Sequence, residues 1–221
     1  MTVILVLLTF AAFLAIDHFY SKRKKVVQVA STRRITMPRL MPGFVGGFRV
    51  PDNLRYHPGH TWALGESPNL VRVGMDDFAS KLTGTADCIT LPERGQWIRQ
   101  GQKLCTVHRS GSMVELVSPI EGTVADINEG VARDAKLALR DPYGEGWLVT
   151  VQAPDAKTSF RNLLGGALAR WWTEESVSRL QRKMPMAFGA LAQDGGVAME
   201  NLSAQIPSQD WTKVAKEFFL S

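Results

Sequence analysis

The chain has few of the residues from which reactive centres and covalent scaffolds are built. Two cysteines in 221 residues, Cys88 and Cys105, are too few for a disulfide-built secreted scaffold or a four-thiolate zinc site. The four histidines, His18, His57, His60 and His108, form no metal-binding pair of the HExxH kind. No Ser/His/Asp set, paired-carboxylate site or phosphate loop is legible. No catalytic residue, metal ligand or cofactor-binding residue is therefore expected, and the chain reads as non-enzymatic. Negative charge is nearly missing from the first 42 residues, where Asp17 stands alone against seven bases, giving that stretch +6. The whole chain is formally +5, so residues 43–221 come to −1. The basic character belongs to one short segment, and a nucleic-acid partner is excluded on that ground. With 45% hydrophobic and 21% charged residues, the chain can bury a core and is not globally disordered.

Charge is also absent from Met1 to Ile16. At 1.5 Å per residue, the apolar stretch taken through Tyr20 spans about 30 Å as a helix, enough to cross a bilayer. Phe19 and Tyr20 fall at the depth where aromatic rings are favoured. A cleaved signal peptide is the competing reading, but it carries its bases before the apolar stretch and a small-residue cleavage site after it. Here Lys22, Arg23, Lys24 and Lys25 follow the apolar stretch, and IDHFYSKRKK offers no such site. Residues 1–20 are expected as a retained single-pass transmembrane helix, N-terminus outside and the bulk of the chain cytoplasmic. In that compartment both cysteines are reduced thiols and read as small core residues. The four bases either pair with anionic lipid at the membrane surface or only fix topology. With them, residues 21–53 read as a basic juxtamembrane segment and linker, rich in proline and glycine and without helical period.

From residue 54 to 153 the texture changes to short apolar runs between turn residues. Val71–Val73, Cys88–Leu91, Leu104–Val107, Val114–Val117, Gly122–Ile127 and Trp147–Val151 are expected strands. Met75–Lys81 reads as a short helix with Asp76 and Asp77 in its first turn. Short strands at regular spacing predict a mainly β sandwich or flattened barrel.

Five segments in order carry a resemblance: RYHPGHTW (Arg55–Trp62), VGMDDFASKLTG (Val73–Gly84), LPERG (Leu91–Gly95), SPIEGTVADINE (Ser118–Glu129) and DPYGEGWL (Asp141–Leu148). They resemble the H protein of the glycine cleavage system, within the biotinyl/lipoyl-carrier fold. The resemblance implies a barrel-sandwich hybrid of two small antiparallel sheets, with packing roles for His60 and Trp62. It also implies lipoate on a lysine at a β-hairpin tip shortly before an SP-x-x-G turn. Counting back from Ser118-Pro119, that position falls at Gly111, give or take one residue, and no lysine lies between Lys103 and Lys136. A glycine has no amine to acylate. No cofactor is expected, and Ser110-Gly111-Ser112 reads as a tight turn.

Residues 154–221 lie beyond the resemblance. Thr158–Met184 is expected as one amphipathic helix with Phe160, Leu163, Leu164, Leu168, Trp171 and Trp172 on a broad face, weakened or broken at Gly165-Gly166. A last helix from about Ser208 places Trp211, Val214, Ala215, Phe218 and Phe219 in one stripe. These helices complete the core, dock on another subunit, or lie on the membrane. Trp171, Trp172, Trp211, Phe218 and Phe219 are the candidate partner contacts. The chain is thus expected to be a non-catalytic, membrane-anchored accessory or scaffold subunit. Its H-like module would assemble with other protein subunits of a membrane complex, such as a respiratory or photosynthetic one. The alternative is a membrane-tethered lipoyl carrier of one-carbon or sulfur metabolism.

Overall fold

The computed structural model describes residues 43–183, Leu202, Ile206 and residues 208–220. The expected transmembrane helix over residues 1–20 and the bases Lys22, Arg23, Lys24 and Lys25 lie outside the described residues. Among the described residues, no helix is long and apolar enough to cross a membrane.

The chain enters through β1 (Phe44–Val45) and β2 (Phe48–Arg49), an antiparallel hairpin turning at Gly46-Gly47. The linker expected over residues 21–53 therefore does not extend through its last eleven positions. A Gly-Gly pair between apolar Val45 and Phe48 is a hairpin signal, and Phe48 is fully buried, 5.1 Å from the ring of Phe78. The strands β3 (Arg55–His57), β4 (Thr61–Ser67) and β5 (Leu70–Met75) follow, then β6 (Cys88–Thr90), β7 (Trp97–Ile98), β8 (Lys103–Arg109), β9 (Ser112–Val117), β10 (Gly122–Ile127) and β11 (Val149–Gln152). They form a six-stranded antiparallel sheet in the order β3-β4-β5-β11-β10-β7, and a three-stranded one in the order β6-β8-β9. Val71, Val73, Val107, Val114, Leu116, Val149 and Val151 meet between the two sheets, each at most 1% exposed. The mainly β expectation holds.

The helix α1 (Asp77–Thr83) starts two residues later than expected. Asp76 lies outside it as the N-cap, its carboxylate accepting the Ala79 N–H at 2.7 Å. This is the ordinary use of aspartate at a helix start, where it satisfies an orphan donor. Two short helices were not expected: α2 (Glu129–Arg133), capped by Asn128, and α3 (Lys136–Arg140). At five residues each, they are too short to show an apolar period.

The expected single helix over Thr158–Met184 is two helices, α4 (Ala156–Arg161) and α5 (Gly166–Lys183). Asp155 caps α4, its carboxylate accepting the Thr158 N–H at 3.3 Å. The break has a specific cause. Tyr56 N–H donates to the Leu164 carbonyl and Leu164 N–H to the Tyr56 carbonyl, both at 2.8 Å. Leu164 thus spends its backbone on the edge of the large sheet, and Gly166 restarts the helix at φ +54°.

The last helix, α6 (Ser208–Phe219), packs along β9. Trp211, Ala215, Phe218 and Phe219 are each no more than 2% exposed. The Trp211 indole N–H donates to the Leu82 carbonyl at 3.0 Å. Burial of Trp211, Phe218 and Phe219 within the chain corrects their assignment as partner contacts, because they belong to its own core. The periodic stripe was legible, but its partner was not. An amphipathic helix shows which face it hides and not what hides it.

Candidate functional site

The β8–β9 hairpin carries the position at which the resemblance places the lipoyl lysine. Arg109 pairs with Ser112, so the loop is the two residues Ser110 and Gly111. Their φ angles are +47° and +77°, the left-handed pair of the mirror-image turn that suits two-residue hairpins. Asp87, 23 positions away, accepts the Ser110 N–H at 2.6 Å and donates its own N–H to the His108 carbonyl at 2.8 Å. The tip is therefore tied back to the strand beside it. Nothing in the spacing of the sequence signals Asp87, because its partner is reached only through the fold. A Cβ built on Gly111 meets no atom within 4 Å, so the tip stands in open space.

The chemistry offered there is a hydroxyl and backbone. Lys103 sits at the opposite end of β8, in an ion pair with Glu115 at 2.7 Å. Six residue steps along the strand separate it from Arg109, about 20 Å. Nearer the tip, the Arg109 guanidinium lies 4.8 Å from the centre of the Trp211 ring. The last helix thus reaches the shoulder of the hairpin, and the cation rests on its indole face.

The second region is the turn between β3 and β4. His57 Nδ1 accepts the Gly59 N–H at 3.0 Å, closing the turn. His60, at φ +60° and 1% exposed, holds Asp76 through Nδ1 at 2.8 Å. Its ring stacks on Phe78 at 4.1 Å and meets Trp172 at 4.5 Å. Trp62, fully buried, donates its indole N–H to the Met75 and Pro142 carbonyls at 2.8 and 3.0 Å. These side chains pack and pin, with His60 and Trp62 at most 1% exposed and His57 half-buried. Asp77 lies 2.9 Å from Lys81 and 3.7 Å from Arg49, again a structural partner.

Burial, and secondarily the neighbouring His60, hold the His57 imidazole below the ordinary histidine value of 6.5. A base with a lowered pKa in the fold contributes stability that is complete above 6.5, and loses it as the pH falls through the lowered value. The unfolded chain takes the proton first. His57→Asn keeps an acceptor for Gly59 and removes the titration. Its urea midpoint should fall less than that of the parent chain between pH 7 and about 5. Parallel curves would exclude His57 as the source.

Of the expected partner contacts, Trp171 is 63% exposed and Leu168, one turn before it on α5, is 54% exposed. Trp172 is half-buried against His60. The expected broad apolar face is thereby split, with Leu163 buried and Leu168 and Trp171 turned outward.

The five motifs now have places. RYHPGHTW makes the β3–β4 turn, VGMDDFASKLTG the end of β5 and α1, and LPERG the turn into β7. SPIEGTVADINE makes β10 and the cap of α2, and DPYGEGWL the turn into β11. A family model described as glycine cleavage H-protein matches residues 54–174. The glycine cleavage system H protein of Mycobacterium avium (strain 104) is 36% identical over 107 residues, which is 48% of this chain and 81% of that protein. The H protein of Anaeromyxobacter sp. (strain K) is 31% identical over 126 residues, 57% of this chain and 97% of that protein. Among solved structures, a glycine cleavage system H protein from Mycobacterium marinum superposes with a TM-score of 0.50 at 25% identity, over 56% of this chain and 98% of its own. The relatives are spanned almost whole, while about half of this chain lies outside them. On a match that takes in more than half of its residues and all five motifs, the chain belongs to the glycine cleavage H-protein family.

Proposed function

We propose that this chain is a non-catalytic, membrane-anchored accessory or scaffold subunit, whose H-protein-like domain serves protein–protein assembly without carrying lipoate. The observation behind this reading is the hairpin tip. The resemblance puts the lipoyl position at Gly111, give or take one residue, and none of Ser110, Gly111 and Ser112 offers the amine that an amide to lipoate requires. Lys103 is about 20 Å down the strand and engaged by Glu115, so it is no substitute for a tip lysine. The group does not fit the residues present. The Leu168–Trp171 pair supports assembly: two large apolar side chains exposed at i and i+3 of one helix suit a docking contact. The apolar segment before Tyr20 and the bases Lys22, Arg23, Lys24 and Lys25 supply the tether. A tether raises the local concentration of the domain beside a membrane partner. Cytoplasmic orientation and contact of the bases with anionic lipid are part of the same proposal.

Intact-mass measurement of the full chain, purified from detergent-solubilised membranes, should show no lipoyl increment. Co-purification on native gels should recover partner subunits. Leu168→Ala with Trp171→Ala should release them while changing stability by less than about 0.5 kcal/mol, as exposed substitutions do. Retention of the partners by that variant would count against the α5 contact. A lone monomer in the membrane extract would sink the subunit reading. The second reading, a membrane-tethered lipoyl carrier, is favoured by the family itself. A lipoyl mass increment on any lysine would establish it at the expense of the first.

A further inference from the structure

The last helix, α6, lies outside the family domain in sequence and against it in space. It begins at Ser208, well beyond the end of the family match at Glu174. The Anaeromyxobacter H protein is spanned to 97% by 126 residues of this chain, so α6 is an addition to the family domain. Three parts of that domain wall the surface that the helix covers. From α1 come Phe78, its ring 5.1 Å from that of Phe218, and the Leu82 carbonyl, which accepts the Trp211 indole N–H at 3.0 Å. The β3–β4 turn supplies His60, 6.2 Å from Phe218, and Gly59, where a Cβ would lie 2.9 Å from the Phe219 carbonyl oxygen. The hairpin supplies β9, along which the helix packs, and Arg109, 4.8 Å from the centre of the Trp211 ring.

We propose that this surface is a helix-binding groove of the H-like domain, and that α6 is its built-in occupant, exchangeable for the α6 helix of a second copy. Trp211, Ala215, Phe218 and Phe219 stand at i, i+4, i+7 and i+8 and are all buried, the anchor pattern of an amphipathic helix laid in a groove. The helix is joined to the domain through these side chains and not through a strand ladder, so an identical helix from outside can make every contact that the resident one makes. Glu217 ties the far end of α6 to Arg179 at 3.1 Å and to Lys183 at 2.8 Å. These ion pairs are exposed and add little, so the anchors carry the attachment.

Seated, α6 replaces an apolar groove with a polar surface, since Asp210, Lys213, Lys216 and Glu217 face outward. It also covers the shoulder of the hairpin, so a protein approaching from the β9 side meets the helix and not the sheet. The contact is autoinhibitory in that sense. A ligand joined to its site by the same chain faces it at an effective concentration on the order of millimolar, and a helix from outside must compete with that. The groove is independent of whether the chain carries lipoate or meets a membrane partner.

The test uses the full chain in detergent with a protease site inserted between Gly195 and Gly196, so that cutting removes the covalent link and keeps every residue. The probe is a fluorescein-labelled peptide of residues 202–221, which includes Leu202 and Ile206, buried in the same core as α6. The cut chain should keep its far-UV circular dichroism and hold its C-terminal fragment on gel filtration. It should bind the peptide at least about a hundredfold more tightly than the uncut chain, because the internal competitor has lost its effective concentration. The peptide with Trp211→Ala should bind roughly thirtyfold more weakly or worse, and the one with Lys213→Ala should match the parent peptide. Equal binding to cut and uncut chain, or no binding to a cut chain that stays folded, would overturn the proposal by making α6 a fixed piece of the core. Unfolding on cutting would overturn it too, and so would undiminished binding of the Trp211→Ala peptide, which would place the contact elsewhere.

Discussion

Trp211→Ala is expected to lower the unfolding free energy of the domain by about 3–5 kcal/mol, the range for truncating a large buried aromatic side chain. The indole is 1% exposed, donates its N–H to the Leu82 carbonyl at 3.0 Å, and lies beneath the Arg109 guanidinium at 4.8 Å. Alanine removes the buried indole and both contacts at once and leaves the Leu82 acceptor with one donor fewer. It does not weaken the helix itself, because alanine is the best helix former. The whole loss is therefore tertiary. Lys213→Ala, exposed on the same helix, provides the control and should stay within about 0.5 kcal/mol of the parent chain. Guanidinium unfolding followed by far-UV circular dichroism reads both. A shift below about 1 kcal/mol for Trp211→Ala would mean that α6 rests on the sheets without being part of the core, and would reopen Trp211, Phe218 and Phe219 as partner contacts.

What the sequence disclosed and what it withheld divide along one physical line. Features carried by neighbouring residues were legible. Examples are the β runs Val71–Val73 and Val114–Val117, the aspartates at the start of α1, the tight turn at Ser110-Gly111, and the stripe on α6. Features decided by a distant partner were not. The weak point at Gly165-Gly166 was legible, but not its cause, which is Tyr56 claiming the Leu164 backbone across the sheet edge. The tip depends on Asp87. The fate of Trp211 depends on Leu82, 129 positions before it. The hairpin over residues 44–49 was missed for a different reason. A proline- and glycine-rich composition masked two short strands that pack a phenylalanine inward.

Gly146→Ala carries the second large expected effect, about 3 kcal/mol of destabilisation, at the upper end of the usual range for overpacking. A Cβ at this position would lie 2.6 Å from the Asp141 carbonyl oxygen, 2.7 Å from Ala138 Cα and 2.7 Å from the Leu137 carbonyl oxygen. All three are backbone atoms, so no side chain can swing aside and α3 itself would have to retreat. Little else could stay in place. Asn128 donates to the Glu145 and Trp147 carbonyls at 2.7 Å each, Trp62 donates to Pro142, and the Leu148 N–H donates to Val73 at 2.8 Å. The DPYGEGWL turn is thus the junction of both helical caps and the large sheet, which gives its second glycine a reason in packing. Thermal unfolding should show the melting temperature lowered by roughly 6–12 °C for a chain of this size. A change under about 2 °C would show that α3 yields easily.

The pairing of Leu164 with Tyr56 has a consequence for how molecules of this chain can associate. A bare outer strand is a template on which another chain can add, and unchecked addition leads to polymers. Here β3, at one margin of the large sheet, has its exposed ladder occupied by a segment of the same molecule, and β7, at the other margin, is only two residues long. Among the described residues, neither of these two end strands offers a run of free backbone for strand addition. Assembly made through these two end strands must therefore be read from side chains, which can be specific and finite, and cannot propagate along them by backbone hydrogen bonding.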